Sequence, residues 1–305
     1  METNLNIEYQ QSWLEKINIA YIAFLLLFFA ETSYYLLILQ TGIVDYFHSN
    51  IQQIWTIPIG GVLGIFSIFK IKNRTESVTL ALFIQTLLMF IYPHYTLFTL
   101  FILGYSSGLV APYLIYQLQD KKETLFILAG AYLLGTFAIH IASEHRGLLG
   151  ILLSLIALLS SYFTLPHQQK KEDTLSIQRY LPLFFWLLLD ATLFEILARS
   201  SMDIWRDEHF TITIALSHLL GLYIGYKLYN FNHNNRVILL LFGLSYLFFI
   251  LHFSYLLAIV YPIVISYYNL IVLKYFMRLS FGQLTIASFS LWVSSGMGLF
   301  IALHI

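Results

Sequence analysis

Two carboxylates stand alone inside long apolar runs: Glu31 in Phe28-Phe29-Ala30-Glu31-Thr32 and Asp190 in Leu188-Leu189-Asp190-Ala191-Thr192. A charge in such a setting costs about 2.5–3.5 kcal/mol on insertion scales, so it marks a residue with a use. Removal from water disfavours the charged form of a carboxyl group, which can then exchange a proton near neutral pH. The same group can hold a cationic part of a solute. Glu195 lies one turn beyond Asp190 and four residues before Arg199, a spacing that pairs the two on one helix face. Glu31 and Asp190 have no such local partner. The plainer role for each is a carboxyl held by serine, tyrosine or backbone groups of its own bundle; Ser33, Tyr34 and Tyr35 adjoin Glu31.

His218 sits within another apolar run, as a cavity residue or as a satisfied packing residue. Gln85, Gln117, Asn269 and Gln283 add uncharged polar groups within the spans, and Tyr34, Tyr267 and Tyr268 add hydroxyls. The candidate solute and proton-coupling set is Glu31, Asp190, Glu195, His218, Tyr34, Gln85 and Asn269.

Other chemistries lack their residues. There is no cysteine, hence no disulfide, thiol nucleophile or thiolate metal site. A metal centre needs converging ligands, and no helix carries His-x-x-x-His or Glu-x-x-His. Gly104-Tyr105-Ser106-Ser107-Gly108 matches a nucleophile-elbow pattern, but that motif belongs on a strand-to-helix turn, and here it falls inside a helical run. Asp190 has no second intramembrane aspartate with flanking glycines to form a protease pair. No Gly-x-x-x-x-Gly-Lys cradles a nucleotide. The expectation is a chain without enzymatic activity, cofactor or metal. Sixteen basic and sixteen acidic residues cancel, so no field recruits nucleic acid.

These residues must be positioned by membrane helices. Hydrophobic residues make up 59% of the 305 and charged residues 10%, against about 25% charged in soluble domains. A hydrocarbon core needs about 20 apolar residues per helix. On that criterion eleven spans are predicted, at approximately 17–39, 54–70, 77–93, 95–116, 124–142, 147–165, 180–200, 210–230, 236–253, 255–274 and 281–303. The first is too long for a signal-peptide core and is read as retained. Positive residues collect on the cytoplasmic side. Eleven spans put Lys16, Lys70, Lys72, Arg74, Lys121, Lys122, Lys170, Lys171, Arg179, Lys227, Arg236, Lys274 and Arg278 on one side, leaving Arg146, Arg199 and Arg206 on the other. The N-terminus is therefore expected in the cytoplasm and the C-terminus opposite, in a multi-pass protein of a plasma or inner membrane.

The longest polar stretch, residues 166–179, follows the sixth span and divides the chain into an N-terminal bundle (1–165), a cytoplasmic linker (166–179) and a C-terminal bundle (180–305). The halves resemble each other. An offset of 159 aligns Glu31 with Asp190, and an offset of 162 aligns Asn73-Arg74 with Asn235-Arg236; the second and eighth spans both carry paired glycines and end in basic turns. Gly61-Val62-Leu63-Gly64 followed by Lys70, Lys72 and Arg74 resembles the Gly-x-Leu-x-Asp signature of the major facilitator superfamily, without its aspartate; Asn230 stands near the acid position of a second copy. Gly104, Gly108 and Pro112 are similar to that family's small-residue fourth span, without its arginine. The resemblance is to a short, divergent member lacking a twelfth span. It implies an all-α polytopic membrane protein of about eleven transmembrane helices in two bundles, six and five, rocking about a midplane site.

The function expected is secondary active transport of a small solute by alternating access, coupled to protons through the buried acids, with the lipid bilayer, the solute and protons as partners. The competing expectation is a non-transporting membrane subunit or assembly factor with a protein partner, consistent with the lost aspartate and twelfth span.

Overall fold

The computed structural model describes residues 19–47, 53–118, 121–141, 143–164, 177–228 and 231–304. Among them are eleven long helices. They are α1 (Ile19–Tyr34), α2 (Thr56–Lys70), α3 (Arg74–Met89), α4 (Leu97–Gln117), α5 (Lys121–Ala138), α6 (Ser143–Phe163), α7 (Ile177–Arg199), α8 (Thr211–Lys227), α9 (Phe231–Ile250), α10 (Ser254–Phe276) and α11 (Phe281–His304). Seven helical stretches among the described residues are long and apolar enough to cross a membrane, from Ile19–Gly42 to Phe281–Ala302. Helices are the solution here because lipid offers no partner to a free backbone amide or carbonyl.

The breaks have local causes. α1 continues as a π-helical stretch, Tyr35–Gly42, where the Thr41 hydroxyl donates to the Leu36 and Leu37 carbonyls at 3.0 and 2.8 Å. Between α3 and α4, the predicted break at Pro93 and His94 is real: Thr96 caps α4 in a reciprocal box with Thr99, satisfying backbone amides at the helix start. The turn from α9 to α10 passes through His252, whose φ of 57° lets the chain reverse in a few residues. Pro112, Pro182 and Pro262 lie inside helices, which membrane bundles tolerate because neighbours re-satisfy the freed carbonyls.

Two apolar cores form, one mainly in α1–α6 that also takes in Phe281 of α11, and one mainly in α7–α11 that also takes in Leu128 and Tyr132 of α5. The pairings repeat between them. α2 packs on α4 as α8 packs on α10, and α1 packs on α5 as α7 packs on α11. Close approach sets the first of these. An ideal Cβ at Gly64 would stand 2.1 Å from the Tyr105 carbonyl oxygen, and one at Gly221 would stand 2.3 Å from that of Ile263. Small residues permit this backbone contact in membranes. The halves also differ. α6 packs on both α1 and α3, whereas α9 packs directly on α7. Two bonds fix the latter contact: Trp186 Nε1 donates to Asn235 Oδ1 at 3.1 Å, and the Tyr246 hydroxyl donates to the Leu189 carbonyl at 2.8 Å.

The bundles meet along α5 with α8 and α10, and along α11 with α2 and α4. Gly61 of the signature-like stretch faces the Trp292 ring of α11, and the Arg74 guanidinium lies 3.9 Å over the Phe281 ring. One expectation changes in detail. α7 begins at Ile177, inside the stretch read as linker, while residues 165–176, like Asn230, lie outside the described residues. Lys274, counted with the basic residues of the cytoplasmic side, lies in the last turn of α10 and is fully buried, with Nζ donating to the Gly225 carbonyl at 2.7 Å.

Candidate functional site

Asp190 occupies the middle of α7 and is 9% exposed. Its partners come from α10, where Tyr261 and Tyr268 are seven residues apart and so lie two turns along one face. The Tyr261 hydroxyl donates to Asp190 Oδ1 at 2.8 Å and reaches the Asp190 carbonyl at 3.0 Å, while the Tyr268 hydroxyl donates to Oδ2. Both carboxylate oxygens thus accept a bond in a setting where an unbonded oxygen is costly.

Rings enclose this group. Tyr132 of α5 stacks on His218 of α8 with centroids 4.4 Å apart and planes 10° apart. Trp205, from the segment joining α7 to α8, lies 6.1 Å from His218 at 17° and 5.7 Å from Tyr261. His218 Nδ1 shares a short hydrogen bond with the Ser266 hydroxyl, and Asn269 Nδ2 donates to the Tyr132 hydroxyl at 2.7 Å. Phe242 closes one side against Tyr268 at 5.8 Å. Tyr132 therefore ties a helix of the first bundle into the polar centre of the second.

Glu31 has a separate environment. Gln85 of α3 donates from Nε2 to Glu31 Oε1 at 2.9 Å and to the Ser107 hydroxyl of α4 at 3.1 Å. Three helices of the first bundle thus converge on one buried amide. Glu31 Oε2, Gln85 Oε1 and the Tyr34 hydroxyl are buried without a hydrogen-bond partner among the described residues. Tyr34 follows Glu31 by three positions, which places it on the same face of α1. The adjacent Ser33 hydroxyl is likewise unbonded. The amide that satisfies Glu31 is 54 residues away.

The structure therefore brings the candidates together in two groups. Glu31, Tyr34 and Gln85 form one, while Asp190, His218 and Asn269 form the other. Among the described residues no hydrogen bond joins the groups. Glu195 belongs to neither: its Oε1 accepts from Arg199 at 2.5–2.6 Å, the local pair its spacing predicts. Tyr267 bonds Asn234 at 2.8 Å rather than an acid. Ser107, Tyr132, Trp205, Tyr261 and Ser266 were not singled out from sequence. The seven-residue spacing of Tyr261 and Tyr268 was a usable signal; nothing local pointed to Tyr132 or Trp205.

No protein-family model matches the sequence, and no curated protein matches it. Among solved structures, the chain is similar to the crystal structure of a major facilitator superfamily transporter, FucP, in the outward conformation, with a TM-score of 0.50 and 12% identity over 94% of this chain and 90% of that chain. The fold is major-facilitator-like. Identity this low carries the fold alone, as the same scaffold hosts unrelated activities. An integral, multi-pass membrane protein follows from that likeness together with the apolar helices.

Proposed function

We propose that this protein is a secondary active transporter of a small solute, working by alternating access and coupled to protons through Glu31 and Asp190, with its N-terminus in the cytoplasm. One observation carries the proposal. A buried carboxylate stands on the first helix of each bundle, at corresponding places in a repeated packing scheme. Bundles that touch along few helices can rock about the seam, and midplane polar groups then see each side of the membrane in turn. An acid embedded in each bundle gives that motion a protonatable group to carry.

The test uses the full chain in proteoliposomes under an imposed pH gradient, with a panel of sugars, amino acids and organic cations and a trapped pH dye as readout. At least one solute should drive proton movement in the wild type, and Glu31→Gln or Asp190→Asn should abolish it while leaving the protein inserted. Solute-driven proton movement that survives both substitutions overturns the coupling assignment.

The competing function, an integral membrane subunit of a larger complex, draws on a different observation: Tyr261 and Tyr268 satisfy both oxygens of Asp190. A purely structural acid is held in this way. That function is supported if a stoichiometric partner co-purifies and both acid substitutions are tolerated.

A further inference from the structure

We propose that the Asp190 group is an aromatic cage for an organic ammonium cation, closed on one side by Trp205. This deepens the transporter assignment and rests on it, since it names the class of solute.

The chemistry of the walls points to such a ligand. An ammonium ion away from water needs a counter-charge and polarisable surfaces, and the faces of Trp and Tyr supply the second through their quadrupoles. Asp190 supplies the first. Tyr261 and Tyr268 bond it directly, Trp205 packs on Tyr261, and Tyr132 and Trp205 both stack on the His218 ring beside them. They come from α5, α7, α8, α10 and the segment between α7 and α8, so the cage spans the seam between the bundles. Asp190 is the charged side chain that Tyr261 and Tyr268 bond; Asp203 touches the cluster through the Trp205 backbone amide and is paired with Arg206. Arg199, at the end of the same helix, is engaged by Glu195.

The arrangement also shows how a ligand would enter. The tyrosine hydroxyls that donate to Asp190 occupy the place beside the carboxylate that a cationic head group would take. Trp205 lies in a connecting segment rather than in a helix, and its Nε1 is buried without a hydrogen-bond partner among the described residues. Its indole is placed by ring contacts, while its backbone amide is held by Asp203 Oδ1 at 3.0 Å. A bound cation would exchange the Tyr261 and Tyr268 donors for its own charge and offer the Trp205 face a cation–π contact in return.

The experiment uses the full chain in detergent, with radiolabelled choline and benzyltrimethylammonium as probes and 3,3-dimethyl-1-butanol, the neutral isostere of choline, as control. Saturable binding of at least one cation is expected, with no competition from the neutral isostere. Asp190→Asn should weaken the cation roughly tenfold or more, the scale of losing one partner of a buried charge pair. Asp190→Glu should hold affinity within a few fold. Tyr132→Leu, which keeps apolar bulk and removes the ring, should weaken binding several fold and decides the matter if Asp190→Asn is not monodisperse. The proposal is overturned if neither cation binds a monodisperse protein, if the isostere competes equally, or if these substitutions leave affinity unchanged. Failure here is separable from failure of the transporter assignment. Proton movement driven by a sugar or amino acid would leave transport standing without the cage, whereas cation binding with no solute-driven proton movement would leave the cage without transport.

Discussion

Tyr132 and His218 lie face to face across the two bundles, ring centroids 4.4 Å apart and planes within 10° of parallel. Tyr132 belongs to α5 and His218 to α8, so this stack and the adjoining Asn269 bond to the Tyr132 hydroxyl cross the seam between the halves.

Tyr132→Phe keeps the stack and removes one hydrogen bond, so it should cost about 0.6 kcal/mol, the average for side-chain bonds within membrane bundles, and at most about 1.7 kcal/mol. Tyr132→Ala also removes a buried ring and should cost about 3–5 kcal/mol. Unfolding of the two variants by steric trapping in bicelles checks the difference. Equal losses would mean that the ring contributes nothing across the seam.

Close backbone contact makes a sharper contrast. Gly104→Ala would bring a methyl group within 2.1 Å of the Ile57 carbonyl oxygen, whereas nothing lies within 4 Å of an added Cβ at Gly243. The first should separate α2 from α4 and lower the melting temperature markedly. The second should be neutral or stabilising by up to about 1 kcal/mol through helix propensity. Thermal melts followed by size-exclusion chromatography read both.

Gln85→Leu removes the donor from Glu31 and from Ser107 together. Buried groups left unsatisfied cost about 1–3 kcal/mol, so the variant should melt early yet still insert. Gln85→Glu tests geometry against charge, because it keeps the shape but sets a second acid against Glu31. It should be the less stable of the two at neutral pH and recover on acidification, as protonation removes the repulsion and provides a donor. A pH series of melts gives the answer.

Glu195→Gln should matter little. Arg199 is 33% exposed although Glu195 is only 6%, so water screens one end of the pair, and glutamine keeps an acceptor for the guanidinium. Solute-driven proton movement should match the wild type. Loss of coupling in this variant alone would return Glu195 to the functional set, from which its pairing with Arg199 separates it.

Much of the architecture was legible because lipid leaves few choices. Apolar run length sets where helices lie, Pro93 and the His252 turn set two of the closest breaks, and the paired glycines of α2 and α8 mark where backbones touch. Buried acids were equally visible, since a charge in a 20-residue apolar run has no ordinary explanation. Their surroundings were harder to read. Glu31 was flanked by tempting neighbours in Ser33, Tyr34 and Tyr35, yet the group that bonds it is Gln85, which belongs to another helix.

From the sequence alone came the helix count and the identity of the two buried acids. Each follows from a property read along one segment: length or charge. Tertiary structure decided that Asp190 meets Tyr261 and Tyr268, 71 and 78 residues away, and that Tyr132 crosses to the other bundle to stack on His218. In water an amphipathic stripe would have shown which face of each helix turns inward. In lipid the inner and outer faces are both apolar, so that signal is largely erased, and partner choice rests on shape and hydrogen bonding between segments distant in sequence.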